Sequence, residues 1–147
     1  MEQKKMDAKE YLGQVQKCDT HINNMLDEMA QLKAFATKIT TTLRPDAAGG
    51  SGGGQDKIGN AVAKIVALEE DITKEIDRYI DTKREVGRLI ESVENPDQAK
   101  VLFKRYIKYE KWEAIALDMG FTYRNICYIH GRALQAVERL LENEKNQ

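Results

Sequence analysis

Long apolar runs are missing from this chain. Nowhere does it approach the ~18 consecutive apolar residues that a membrane span requires, and its opening, Met1-Glu-Gln-Lys-Lys, leads into polar sequence with no apolar segment of the signal-peptide kind. A soluble, cytoplasmic protein with no membrane partner is expected. Cysteine is scarce: Cys18 and Cys127 stand far apart, without CxxC or Cys/His metal spacing, so neither a disulfide scaffold nor a zinc site is indicated. His21 lies one turn from Cys18, but no third ligand is near, and no metal is expected. Aromatics make up 7% of the residues and proline occurs twice, while Ala, Leu, Ile, Lys, Glu, Gln and Asp dominate. That vocabulary belongs to helices rather than sheets, and predicts an all-α protein. An excess of charge is absent too, with Lys+Arg 23 against Asp+Glu 24, so any electrostatic footprint for a nucleic acid must be local. Catalytic signatures are also lacking. There is no Ser/His/Asp or Cys/His set and no paired-carboxylate cleft, and the Gly-rich segment has no Lys-Ser/Thr of a phosphate-binding loop, so neither enzymatic activity nor a cofactor is expected.

What is present is helical periodicity. From about Tyr11 to Leu43, Val15, Ile22, Met29, Ala36 and Leu43 recur every seven residues, with Cys18, Met25, Leu32 and Ile39 in a second row. This is an a/d seam with one buried and one solvated face. The first helix is predicted over about 8–43 and ends at Arg44-Pro45, because proline lacks the amide a helix needs and restricts the residue before it. Residues 46–55, rich in Gly, read as a flexible loop of the Gly/Ser-linker kind. A second helix is predicted over about 56–93, with Ile58, Ile65, Ile72, Tyr79, Val86 and Val93 in one row and Val62, Leu68, Ile76, Leu89 and Ile90 beside it. Two such helices joined by a loop fold back as a long antiparallel hairpin over residues 1–94. The second stripe is wider than a two-helix seam, so its excess is expected to be covered by the C-terminal domain or by another copy of the chain, in a homodimer or larger homo-oligomer.

Asn95-Pro96-Asp97 opens a second domain, over 95–147. Asn suits an N-cap, Pro the first helical position and Asp the positive end of the helix dipole. The charge changes here. Residues 98–134 carry seven bases (Lys100, Lys104, Arg105, Lys108, Lys111, Arg124, Arg132) against three acids (Glu110, Glu113, Asp118), the local excess that the totals conceal. A helix from Pro96 to about Ile107 is expected to supply Val101, Leu102, Phe103, Tyr106 and Ile107 to a three-helix core. The stretch from Lys111 to Ile129 reads as two helices joined by a tight turn. Ala116 is small where they cross, Gly120 allows a left-handed turn, Thr122 caps the second helix, and Ile115, Met119, Phe121, Ile126 and Ile129 meet between them.

Val101-Leu-Phe-Lys-Arg-Tyr-Ile107, Trp112-Glu-Ala-Ile-Ala116, Gly120-Phe-Thr122 and His130-Gly-Arg-Ala-Leu134 resemble region 4 of sigma-70 family factors, over about residues 98–140 and without gaps. Tyr109 and Lys111 stand where that region usually has Gly and a Ser/Thr cap. The whole chain also resembles small sigma-like transcriptional regulators of phages and prophages of Gram-positive bacteria. The resemblance implies a helix-turn-helix that binds double-stranded DNA, with a recognition helix from Thr122 to about Asn143 entering the major groove by its N-terminal end. Ile126, Ile129, Ala133 and Val137 would face inward, leaving Tyr123, Arg124, Asn125, Cys127 and Tyr128 to read bases. Arg suits guanine edges and Asn adenine edges. Arg105, Lys108, Lys111, Thr122 and Arg132 would contact phosphate, which sets register without reading sequence. Host RNA polymerase is a further partner this likeness implies. A complete sigma factor is not expected, because the first 95 residues are net acidic and hold only Tyr11, Phe35 and Tyr79 as aromatics, too few for promoter melting. The rival readings are a DNA-packaging protein of the small terminase kind, expected to form a large ring, and a helical adaptor that binds no DNA.

Overall fold

The computed structural model describes residues 6–42 and 53–146, and every regular element among them is helical. The helices are α1 (Ala8–Thr42), α2 (Gly53–Glu91), α3 (Pro96–Leu102), α4 (Trp112–Met119) and α5 (Tyr123–Lys145), with a π-helical turn, Phe103–Ile107, following α3 directly. The all-α expectation agrees with this. α2 starts inside the Gly-rich segment expected as a loop; the rest of that segment, like Leu43, lies outside the described residues.

Helix starts follow local chemistry. The Asp7 carboxylate accepts from the Glu10 amide at 2.7 Å at the head of α1, and Asn95 Oδ1 accepts from the amides of Asp97 and Gln98 at 3.0 and 3.1 Å at the head of α3. Each satisfies donors that the first helical turn leaves free. The helix expected from Pro96 to Ile107 is regular only to Leu102. Beyond it the Lys108 amide donates to the Phe103 carbonyl at 3.1 Å, the Glu110 amide donates to the Lys104 carbonyl at 2.9 Å, and Tyr109 takes a left-handed φ of 59°. The backbone thus demands at Tyr109 the conformation that glycine adopts most cheaply. Packing of the Tyr109 ring against the core offsets that strain.

The chain divides into two compact units, Met1–Cys18 with Tyr79–Gln147, and Asp19–Arg78. The division cuts through both long helices. In the first unit, Ala8, Leu12 and Val15 of α1 pack antiparallel to Val86, Leu89 and Ile90 of α2, and join Val93, Leu102, Tyr106, Ala133 and Val137 in one buried cluster. The C-terminal segment therefore covers the end of the wide α2 stripe. A second cluster, Val101, Ile115, Ala116 and Ile126, ties α3, α4 and α5 together, with Trp112, Met119, Phe121 and Ile129 packed around it. In the second unit Met25 and Met29 of α1 meet Ile72 of α2, with Ile65 and Leu68 alongside. There Leu26, Val62, Val66 and Ile76 stay 40 to 50% exposed.

Candidate nucleic-acid interface

The turn between α4 and α5 is built as the residue types require. Gly120 ends α4 with φ 71°, and its backbone amide is directed to the carbonyls of Ala116 and Leu117. Phe121 N–H donates to the Ala116 carbonyl at 3.0 Å. Ala116 is buried where the helices approach. The Thr122 hydroxyl then accepts from the Asn125 amide at 3.1 Å and starts α5. Lys111 occupies the cap position of α4 but offers no side-chain bond, so the first amides of that helix lack the cap a Ser or Thr would give.

α5 buries Ile126, Ala133 and Val137, and half-buries Ile129, so its first two turns turn Tyr123, Arg124, Asn125, Cys127 and Tyr128 to the exterior. All five are exposed. Tyr123 and Cys127 are one turn apart, and the Cys127 side chain pushes the Tyr123 phenol up. Arg132 Nε and NH2 both donate to the Tyr128 hydroxyl, at 3.1 and 3.0 Å, with the guanidinium over the Tyr128 ring. The structure thus joins a residue expected on phosphate to one expected on bases.

Of the remaining basic residues, Lys111 is exposed. Arg105 lies in the π-helical turn, half-buried, with NH1 donating to the Glu110 carbonyl at 3.0 Å and its guanidinium carbon 4.4 Å from the centre of the Trp112 ring. Lys108 is engaged elsewhere, its amine 5.9 Å from the centre of the Phe103 ring. Lys104 turns inward, bonded to Asp118 and 3.6 Å from Glu110. The bond to Asp118 is the main cause that holds the Lys104 amine above its ordinary range, and the same bond holds the Asp118 carboxyl below its own. The one amine is thus shared by both carboxylates, and the charges of Lys100 and Lys108 also reach Asp118. Lys100, Lys108, Lys111, Arg124 and Arg132 are exposed and Arg105 half-buried, so six of the seven bases of the segment remain available on the exterior.

Two residues absent from the expected site, His130 and Trp112, pack together beside Arg105. The His130 ring packs edge-on to Trp112, centroids 4.5 Å apart, and its Nε2 shares a 2.7 Å hydrogen bond with the Tyr106 hydroxyl. Burial, helped by the charges of Lys9 and Arg105, pushes His130 down to about 4 and keeps the ring neutral at pH 7. Trp112 was legible as part of the motif, but its partners are set by the fold across long stretches of chain.

A family model described as a protein of unknown function, DUF1492, matches residues 44–139, well over half of the chain. The chain belongs to the DUF1492 family. The DUF1492 match takes in α2, α3, the π-helical turn, α4 and most of α5, and so contains every residue of the candidate interface. No curated protein and no solved structure matches the chain.

Proposed function

We propose that this member of the DUF1492 family is a sequence-specific double-stranded DNA-binding regulator, of the phage or prophage class that its sequence resembles, and that α4 and α5 act as its helix-turn-helix. The observation that carries the reading is the outward cluster of Tyr123, Arg124, Asn125, Cys127 and Tyr128 on the first two turns of a helix held by an apolar core. Arg and Asn are the side chains whose paired hydrogen bonds distinguish guanine and adenine edges. Unneutralised bases beside them supply what phosphate needs. In this reading the hairpin serves self-association or contact with host RNA polymerase.

Selection of bound sequences from a random duplex pool, followed by titration against the selected and a scrambled duplex at several salt concentrations, tests the reading. Arg124→Ala or Asn125→Ala should cost about 1 to 3 kcal/mol on the selected duplex and relax preference at one base pair. Lys111→Ala should weaken both duplexes alike and lower the salt slope by about one. Equal losses on the two duplexes for Arg124→Ala and Asn125→Ala would remove them as base readers. No binding to any duplex would leave the helical adaptor as the reading, and a large ring would favour packaging.

A further inference from the structure

Arg105 is held before any ligand arrives, and unlike Arg132, which lies on the exposed Tyr128, it rests on a ring that is itself tied to the core. Its guanidinium stacks on Trp112 at 4.4 Å, and NH1 is tied to the Glu110 carbonyl at 3.0 Å. A guanidinium carries five N–H donors in a rigid plane, so one backbone bond leaves most of the fork free. Among the described residues no carboxylate lies within ion-pair distance of it. The Trp112 ring that carries it is itself braced. His130 packs edge-on to the indole at 4.5 Å, and Tyr106, buried in the core, holds His130 through the 2.7 Å bond and a ring stack with centroids 5.8 Å apart. The chain of contacts therefore runs from the buried core through Tyr106, His130 and Trp112 to Arg105, joining the π-helical turn, α4 and α5. The far end lies by the head of α5, because Trp112 packs on the cluster that buries Ile126 in the first turn of that helix.

We propose that Trp112, braced by His130, is a positioning residue that presets Arg105 as a clamp for a backbone phosphate beside the reading end of α5. The proposal rests on the DNA-binding reading above. A cation that is oriented but not neutralised is suited to a phosphodiester, whose charge it meets without first giving up another partner. An arginine already fixed also loses less side-chain freedom on binding than a free one. His130 fits the brace because it is neutral: a charged imidazolium against Trp112 would repel the guanidinium on the other contact of the same ring.

Charge and posture separate in the test. Arg105→Ala should weaken binding to selected and scrambled duplexes alike and lower the salt slope by about one, since one counterion fewer is released. Trp112→Leu keeps the cation but removes its platform, and should weaken both duplexes about three- to tenfold with the slope unchanged. Arg105→Lys should behave in the same way, because a lysine ammonium does not reproduce the planar stack. Trp112→Phe retains an aromatic face and should bind close to the parent. The double variant Trp112→Leu with Arg105→Lys should be no weaker than either single one, as expected for two changes that break the same contact. Thermal melting of each variant identifies any that fails to fold, and Arg105→Lys and Trp112→Phe, which leave the core intact, then decide the matter alone. Parent-like affinity for Arg105→Lys, or fully additive losses in a folded double variant, overturns the clamp while leaving DNA binding standing. Absence of binding by the parent removes the DNA-binding reading and the clamp with it.

Discussion

Two glycines in the C-terminal segment have opposite energetic meanings. At Gly120, φ 71° is a conformation that a side chain resists, yet nothing lies within 4 Å of an added Cβ. Gly120→Ala should therefore cost about 1 kcal/mol through the backbone alone. Gly131 is in the interior of α5, without left-handed φ and with the same open space, so Gly131→Ala should add about 0.5 to 1 kcal/mol. Urea denaturation of the two variants checks both signs. His130 gives a pH dependence. Its proton is bound near pH 6.5 in the unfolded chain but only near 4 in the folded one, so between these values the unfolded state takes up a proton that the folded state refuses. The stability that the neutral ring allows is complete above about pH 6.5 and falls as the pH drops towards about 4. Melting temperatures between about pH 7 and about pH 5 should fall, and fall less in His130→Gln; equal slopes for the two proteins would contradict this. Gly120 and Thr122 were legible in the sequence because each answers to its own backbone, and Ala116 because a close crossing admits only a small residue at that offset. Lys104 and His130 were not, because Asp118 and Tyr106 reach them only once the chain has folded.

Among the elements, α4 and α5 stand or fall on their crossing. Ala116→Leu adds bulk where Ile115, Ala116 and Ile126 are buried together, and should cost roughly 1 to 3 kcal/mol by overpacking. Loss of cooperative melting together with loss of duplex binding is the expected result, and parent-like melting would show that the crossing tolerates size. The seven-residue rows foretold both long helices because burial on one face leaves a repeat that can be counted: Val15, Cys18, Ile22, Met25 and Met29 are all buried. The π-helical turn left no such trace. It depends on carbonyls of Phe103 and Lys104 finding donors five and six residues on, and on Tyr109 accepting a left-handed φ, neither of which a pattern of apolar residues records.

For the molecule as a whole, the second unit leaves a row of apolar side chains uncovered. Val62, Val66 and Ile76 recur at heptad-compatible spacing on α2, exposed like Leu26 of α1. If the proposed homo-oligomer uses this face, Val66→Glu and Ile76→Glu should shift sedimentation towards the monomer without lowering helicity, and an unchanged mass would remove the face from the interface. The union of Leu12 and Val15 with Ala133 and Val137 in one cluster has a further consequence, for the order in which the protein is made. Residues 19–78 are all synthesised before α5, and their α1–α2 contacts need nothing that follows. The cluster that supports the candidate interface joins the start of α1 to α5, so it closes only after α5 has left the ribosome. Until then Leu12, Val15, Val86 and Leu89 have only one another for cover, and the contacts with Ala133 and Val137, which span the most sequence, complete the core on which the reading helix rests.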